Sequence, residues 1–301
     1  VRIALKIDVD TYRGTCEGVP ALVEVLRRQE AQATFLFSLG PDHTGRAIRR
    51  VFRRGFLGKV ARTSVGGNYG WRTLCYGTLL PGPDIGRRCA GILRQTRQAG
   101  FEVGVHCWDH TRWQDYVTRR DAAWTRRELE RARDRFVEVF GEAPRTCGAP
   151  GWQVTAHALR LQQELGFAYA SDTRGTGPFL PVMGGEPFAC PQLPTTLPTL
   201  DELLGVEGMT ADDVADQLLH LSETPLPQGH LFTLHAELEG GRFLTLFESL
   251  LQRWRRRKVE FVSMGELYRT LDPASLPMHR VVLGEIPGRS GLVALQGEPQ
   301  N

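Results

Sequence analysis

RIALKIDVDT, residues 2–11, is the stretch whose reading decides the fold. Residues 3–7 form a short run with β-branched members, and the polar Asp8, Asp10 and Thr11 close it. Such a run predicts a buried strand whose C-terminal end carries carboxylates. Working outward, Leu22, Val23, Val25 and Leu26 predict a helix, and ATFLFSL (33–39) predicts a second strand. The alternation continues with a helix over 85–98, a strand at 101–105, a helix over 122–140, a strand near 145–149, a helix over 156–165 and a strand at 168–171. A helix over 211–221, a strand at 230–235, a helix over 243–256 and a strand at 259–262 follow. This alternation predicts an α/β fold with a mainly parallel sheet, and about six or seven units suit a (β/α) barrel better than a doubly wound sheet.

The 301 residues are 41% hydrophobic and 24% charged, a globular composition that suits one large domain or two modest ones. A formal charge of +3 is too small to argue for a nucleic-acid partner. No apolar run reaches the roughly eighteen residues that a bilayer-spanning helix needs. Arg2, Lys6, Asp8 and Asp10 interrupt the N-terminal stretch, so it lacks the uncharged core of a secretory signal and a cytoplasmic protein is expected. Cys16, Cys75, Cys89, Cys107, Cys147 and Cys190 are scattered with no CxxC pair and are expected as reduced thiols.

In a parallel α/β barrel, functional groups sit at the C-terminal ends of strands. The first strand here ends in Asp8 and Asp10, the third in HCWDH (106–110), and a late one in His235. Two aspartates at alternate strand positions share a face, and His106 and His110 share one if the chain turns helically after its strand. A carboxylate and two imidazoles suit zinc or a related divalent ion, with positions left open for water and substrate. A lone DxD is usually a solvated turn, and a lone HxxxH is as often structural as functional. Their recurrence at separate strand ends is what argues for a site. In this spacing Cys107 points away from both histidines and is not expected as a ligand.

With these residues in place, the sequence resembles the polysaccharide deacetylase family (NodB homology, carbohydrate esterase 4-like). The family's motifs appear in order as IDVDT (7–11), HCWDH (106–110), APGW (149–152) and TLHAE (233–237). The resemblance covers residues 1–271 and leaves 272–301, rich in Pro and Gly, as a tail expected to be irregular. It implies a distorted (β/α) barrel, a hydrolase acting on a linear amide bond, and one divalent metal ion: zinc, manganese or cobalt. By that resemblance Asp10, His106 and His110 hold the metal, Asp8 is the general base on the attacking water, and His235 is the general acid to the departing amine. Histidine titrates in the range that such a proton donor needs. A backbone N–H near Trp152 would help stabilise the oxyanion. From its position Asp172 is read either as orienting His235 or as part of a surface turn, and Glu237 belongs to the surroundings of the site. The chain departs from the family at Gly148, where many members carry an arginine paired with the base aspartate. Arg174, in SDTRG (171–175), is the candidate substitute.

IDVDTYRGTCEGVP (7–20), SDTRG and HAELEG (235–240) resemble family members that deformylate 4-deoxy-4-formamido-L-arabinose carried on undecaprenyl phosphate, for lipid A modification. That likeness implies a lipid-linked sugar substrate and a peripheral position on the cytoplasmic face of the bacterial inner membrane. The alternatives are an N-acetylhexosamine deacetylase of the peptidoglycan or chitin type and a non-catalytic, metal-bearing lipid-binding protein. The first calls for an export signal; the second would ordinarily lack Asp8 or His235. Segment 43–83 contains no acidic residue but carries Arg46, Arg49, Arg50, Arg53, Arg54, Lys59, Arg62 and Arg72. Ile48, Val51, Phe52 and Val60 recur among them at roughly helical spacing, the pattern of a helix lying on an anionic membrane surface. A solvated helix packed on the barrel rim is the competing reading. Arg49, Arg50, Phe52, Arg53 and Arg54 are the expected membrane contacts, and neither nucleic acid nor an obligate protein partner is expected.

Overall fold

The computed structural model describes residues 1–50, 71–204, 208–289 and 291–300, without the side chains of 48–50 and 71. Strand β1 (Arg2–Val9) is buried from Ile3 to its end, because it is covered on both faces, as central strands of parallel sheets are. Strand β2 (Thr34–Ser38) runs parallel to it, with Lys6 opposite Thr34 and Val9 opposite Phe37. Beyond β2 come β3 (Glu102–Cys107), β4 (Thr146–Cys147) and β5 (Tyr169–Ala170), all parallel. On the other edge of β1 runs β8 (His230–His235), and β9 (Glu260–Val262) pairs with the first residues of β1. The result is a seven-stranded sheet in the order β5-β4-β3-β2-β1-β8, with β9 off that path.

The gap between β5 and β8 is bridged by an extended segment at 191–197. Ala170 N donates to Pro191 O (2.9 Å) and Leu193 N to Ala170 O (2.8 Å) on one side. Thr196 N donates to Leu231 O (3.0 Å) on the other. The expected (β/α) barrel is therefore present, and its distortion lies at this seam.

Helices α1 (Val19–Arg28), α2 (Ala90–Gln98), α3 (His110–Tyr116), α4 (Ala122–Phe140), α5 (Ala156–Glu164), α6 (Ala211–Leu221), α7 (Leu244–Arg256) and α8 (Met264–Arg269) surround the sheet. Their starts and stops follow from capping chemistry. Asp121 accepts the Trp124 N–H at the head of α4, and Gly141, at φ 76°, ends it in the left-handed conformation that glycine adopts without strain. Leu22, Val25 and Leu26 of α1, Phe136 of α4 and Phe247, Leu250 and Trp254 of α7 join Phe35, Phe37 and Phe232 of the sheet in the main core. Trp254 meets Phe232 edge-on, with ring centroids 5.6 Å apart, and its indole N–H reaches Ser222 Oγ at 2.8 Å.

The tail differs from expectation. Strands β10 (Met278–Gly284) and β11 (Val293–Gln300) form an antiparallel hairpin. The hairpin pairs through β10 with β6 (Leu180–Met183), which in turn pairs with β7 (Glu186–Pro187). The reason is burial: Val281 and Ala294 pack with Phe179 and Phe188 in a second core. Segment 43–83 contributes a 3₁₀ turn (Thr44–Arg50) and a short helix (Trp71–Cys75). Of the expected membrane contacts, Phe52, Arg53 and Arg54 lie outside the described residues, and Arg49 and Arg50 are described in their backbone alone. No helix among the described residues is long and apolar enough to cross a membrane.

Candidate active site

The C-terminal ends of β1, β3 and β8 converge. The β1–β8 register sets Asp8 directly opposite His235, and neighbours in register on parallel strands project to the same face. At the end of β3 the chain turns at Asp109, whose carboxylate accepts the Arg112 N–H at 3.0 Å and starts α3 at His110. That turn stacks the rings of His106 and His110, with centroids 5.4 Å apart. His106 Nε2 lies 3.2 Å from Asp10 Oδ1, and His110 Nε2 lies 3.2 Å from Asp10 Oδ2. Burial opposes charge on Asp10, but His110, then His106 and His235, hold its carboxyl far below the usual carboxylate range.

The cluster passes a simple test for a divalent cation. Its ligand atoms lie within 4.8 Å of one another, and the buried Asp10 Oδ1, though 3.2 Å from His106 Nε2, has no contact of hydrogen-bond geometry among the described residues. One carboxylate and two neutral imidazoles are a donor set that such ions accept. Cys107, as expected, turns elsewhere and meets Ser38 Oγ at 3.3 Å.

Two carboxylates from the turn after β8 fix the loops. Glu237 Oε1 accepts Asp10 N (2.9 Å), Thr11 N (2.7 Å) and Thr11 Oγ1 (2.9 Å). Gly14 leaves room for it, since a Cβ there would stand 2.1 Å from Glu237 Oε1. Glu239 Oε2 accepts His235 N at 2.8 Å. Burial, with the Asp10 charge adding to it, pushes Glu237 up to about 8. Burial pushes Glu239 to about 7.

Two of the expected surrounding residues are placed differently from expectation. Asp172 does not reach His235: its oxygens accept Ala149 N (2.6 Å), Gln162 Nε2 (2.7 Å) and Gln192 Nε2 (3.0 Å), which fixes the 149–152 turn. The carboxylate facing His235 is Asp201, with Oδ1 3.8 Å from Nδ1. Arg174 does not pair with Asp8, because Glu202 takes it at 2.8 and 2.9 Å. The Trp152 N–H donates to Ala149 O at 3.1 Å, and its buried indole bonds Thr195 Oγ1 at 3.1 Å.

The cation beside Asp8 is Lys6. Wholly buried, its Nζ lies 3.4 Å from Asp8 Oδ2 and 3.0 Å from Ser171 O. Gly148 admits it, since a Cβ at 148 would stand 3.2 Å from Lys6 Cε and 2.6 Å from Leu36 Cδ1. The sequence reading passes over Lys6 although it carries a signal: a lysine inside a buried strand, two residues before an aspartate, shares that aspartate's face. Asp201 carries no such signal, because tertiary packing alone brings it to His235. Burial would lower the His235 imidazolium, but Asp201, then Asp10, Glu239 and Asp8, raise its pKa to about 9.

Fold and site together define a class. The polysaccharide deacetylase family model matches residues 3–170, and the chain belongs to that family. In particular, the chain is 38% identical, over 100% of its length and 96% of the relative's, to a protein of Shewanella sediminis (strain HAW-EB3) assigned as the 4-deoxy-4-formamido-L-arabinose-phosphoundecaprenol deformylase ArnD. A protein of Wigglesworthia glossinidia brevipalpis with the same assignment is 31% identical, over 94% of this chain and 98% of that one. A Mycobacterium smegmatis protein assigned as a polysaccharide deacetylase shares the fold, with a TM-score of 0.62 at 16% identity over 94% of this chain and 95% of that one.

Proposed function

We propose that the protein hydrolyses the formamide of 4-deoxy-4-formamido-L-arabinose carried on undecaprenyl phosphate, giving formate and the lipid-linked 4-amino sugar used in lipid A modification. The observation that carries the reading is the β1–β8 register, which sets Asp8 and His235 side by side next to Asp10, His106 and His110. The assignments of the two relatives support the choice of substrate.

A zinc, manganese or cobalt ion held by Asp10, His106 and His110 would polarise the formyl oxygen and acidify a water. Asp8, steadied by Lys6 through one oxygen, takes the proton of the attacking water with the other. His235, charged at neutral pH, donates its proton to the sugar nitrogen as the C–N bond breaks. An amide nitrogen is a poor leaving group until protonated, so this donor is required. The lipid-linked substrate supports a peripheral position on the membrane, and the basic composition of segment 43–83 suits anionic headgroups.

The test is formate release from the formamido-arabinose polyprenyl phosphate, with and without chelator and added metals. Release that stops with chelator and returns with metal is expected. Acetate from N-acetyl sugars, with no formate under any metal, would move the chain to the deacetylase alternative. Flotation with anionic vesicles tests the membrane position, which fails if the protein stays wholly unbound.

A further inference from the structure

Arg289 lies in the turn between β10 and β11, a part of the chain that the hydrolytic chemistry above does not use. That turn is seated on the site. Gly288 adopts φ 77°, and a Cβ there would stand 2.1 Å from Glu202 O, so the turn lies against the short Leu200–Leu204 helix. Strand β11 is also tied to the SDTRG loop: Arg174 N donates to Ala294 O (2.8 Å) and Gln296 N to Arg174 O (2.7 Å). The hairpin thereby brings the Arg289 guanidinium to 4.5 Å from the Trp152 ring centroid, beside that of Arg174 at 4.9 Å.

Arg174 and Arg289 share Glu202 unequally. Glu202 is engaged by Arg174 through both oxygens, whereas Arg289 stands 3.7 Å from it, too far for a hydrogen bond. The neighbouring Asp201 faces His235 and lies within the field of Arg289 as well, so no carboxylate is held by Arg289 alone. The Arg289 side chain is 19% exposed, at the edge of this group. The cation is thus fixed by an aromatic ring, partly open to solvent, and close to the acid side of the site.

We infer that Arg289 binds an anionic oxygen group of the substrate, namely the phosphate attached to the sugar that carries the scissile amide. A planar guanidinium matches phosphate oxygens through paired N–H groups, and the ring beneath it fixes its orientation. The inference rests on the lipid-linked formamido-sugar reading of the site.

Arg289→Ala and Arg289→Lys are compared with wild type on the polyprenyl-phosphate substrate and on the same formamido sugar as a methyl glycoside lacking phosphate. In Arg289→Ala the KM for the phosphate substrate is expected to rise on the order of tenfold to a hundredfold, the range of a charge-assisted contact. The glycoside's KM is expected to move much less, and Arg289→Lys to recover part of the loss. Equal penalties on both compounds would make Arg289 a structural pin and overturn the inference. Loss of anionic-vesicle binding with an unchanged KM would overturn it too, reassigning the arginine to the membrane surface. If wild type cleaves neither compound, the functional reading fails separately. Calorimetric titration with polyprenyl phosphate then decides: weaker binding by Arg289→Ala upholds the anion site, and equal binding removes it.

Discussion

Lys6 is wholly buried on the face of β1 that carries Asp8, and a buried charge persists only when it is paired. Replacing it with methionine keeps the volume and leaves Asp8 without its cation. Lys6→Met is expected to cost roughly 3 kcal/mol in urea unfolding, the range for breaking a buried pair. It is also expected to lower kcat on the order of a hundredfold, because the base loses its orientation. An unaltered midpoint and rate would remove Lys6 from the site. His235 supports a prediction about pH. Its pKa is raised, so the charged form that donates the proton is present at neutral pH and is lost as pH rises through about 9. Asp201 is the foremost group raising it, and Asp201→Asn should therefore shift the alkaline limb of kcat/KM toward acid by about one unit. A limb that stays in place would show that Asp201 does not act on His235.

At the scale of elements, what the sequence makes legible follows hydrophobic periodicity. Helices α4 and α7 carry apolar residues at helical spacing between charged ones, and β1 and β2 are unbroken buried runs, so their places are readable directly. HCWDH is legible as a site because α3 starts at its second histidine. The second sheet is not, since β6 and β7 are short and hold Pro181 and Pro187, and β11 contains Gly297 and Pro299. Proline and glycine there signal loop in any local reading, while burial against Phe179 and Phe188 decides for strand. The hairpin's seat is testable at Gly288, whose positive φ and contact with Glu202 O exclude a side chain. Gly288→Ala should destabilise by about 1–3 kcal/mol. The loss should appear as faster hydrogen exchange over 278–300, and unchanged exchange would show that the turn is not clamped.

Across the whole molecule, the chain carries a net positive charge, yet carboxylates crowd one buried point. Asp8, Asp10, Glu237 and Glu239 reach it from β1 and from the end of β8, and His106, His110 and His235 meet them there. Gathering these groups is unfavourable by itself, and Glu237, pushed up to about 8 with the Asp10 charge contributing, records that cost. A divalent cation bound to the folded chain alone would relieve the crowding and stabilise the fold by mass action, about 2.7 kcal/mol at a hundred times its Kd. For a domain of this size that corresponds to a rise in Tm of roughly 5 °C. Thermal melts of chelator-treated protein, repeated with zinc, manganese and cobalt, are expected to show the rise with at least one ion. His106→Ala should abolish it, whereas Asp134→Asn, on the exposed face of α4, should leave it intact. A wild-type Tm unmoved by all three ions would remove the metal from the site and leave Asp10, His106 and His110 as a buried ion-pair cluster.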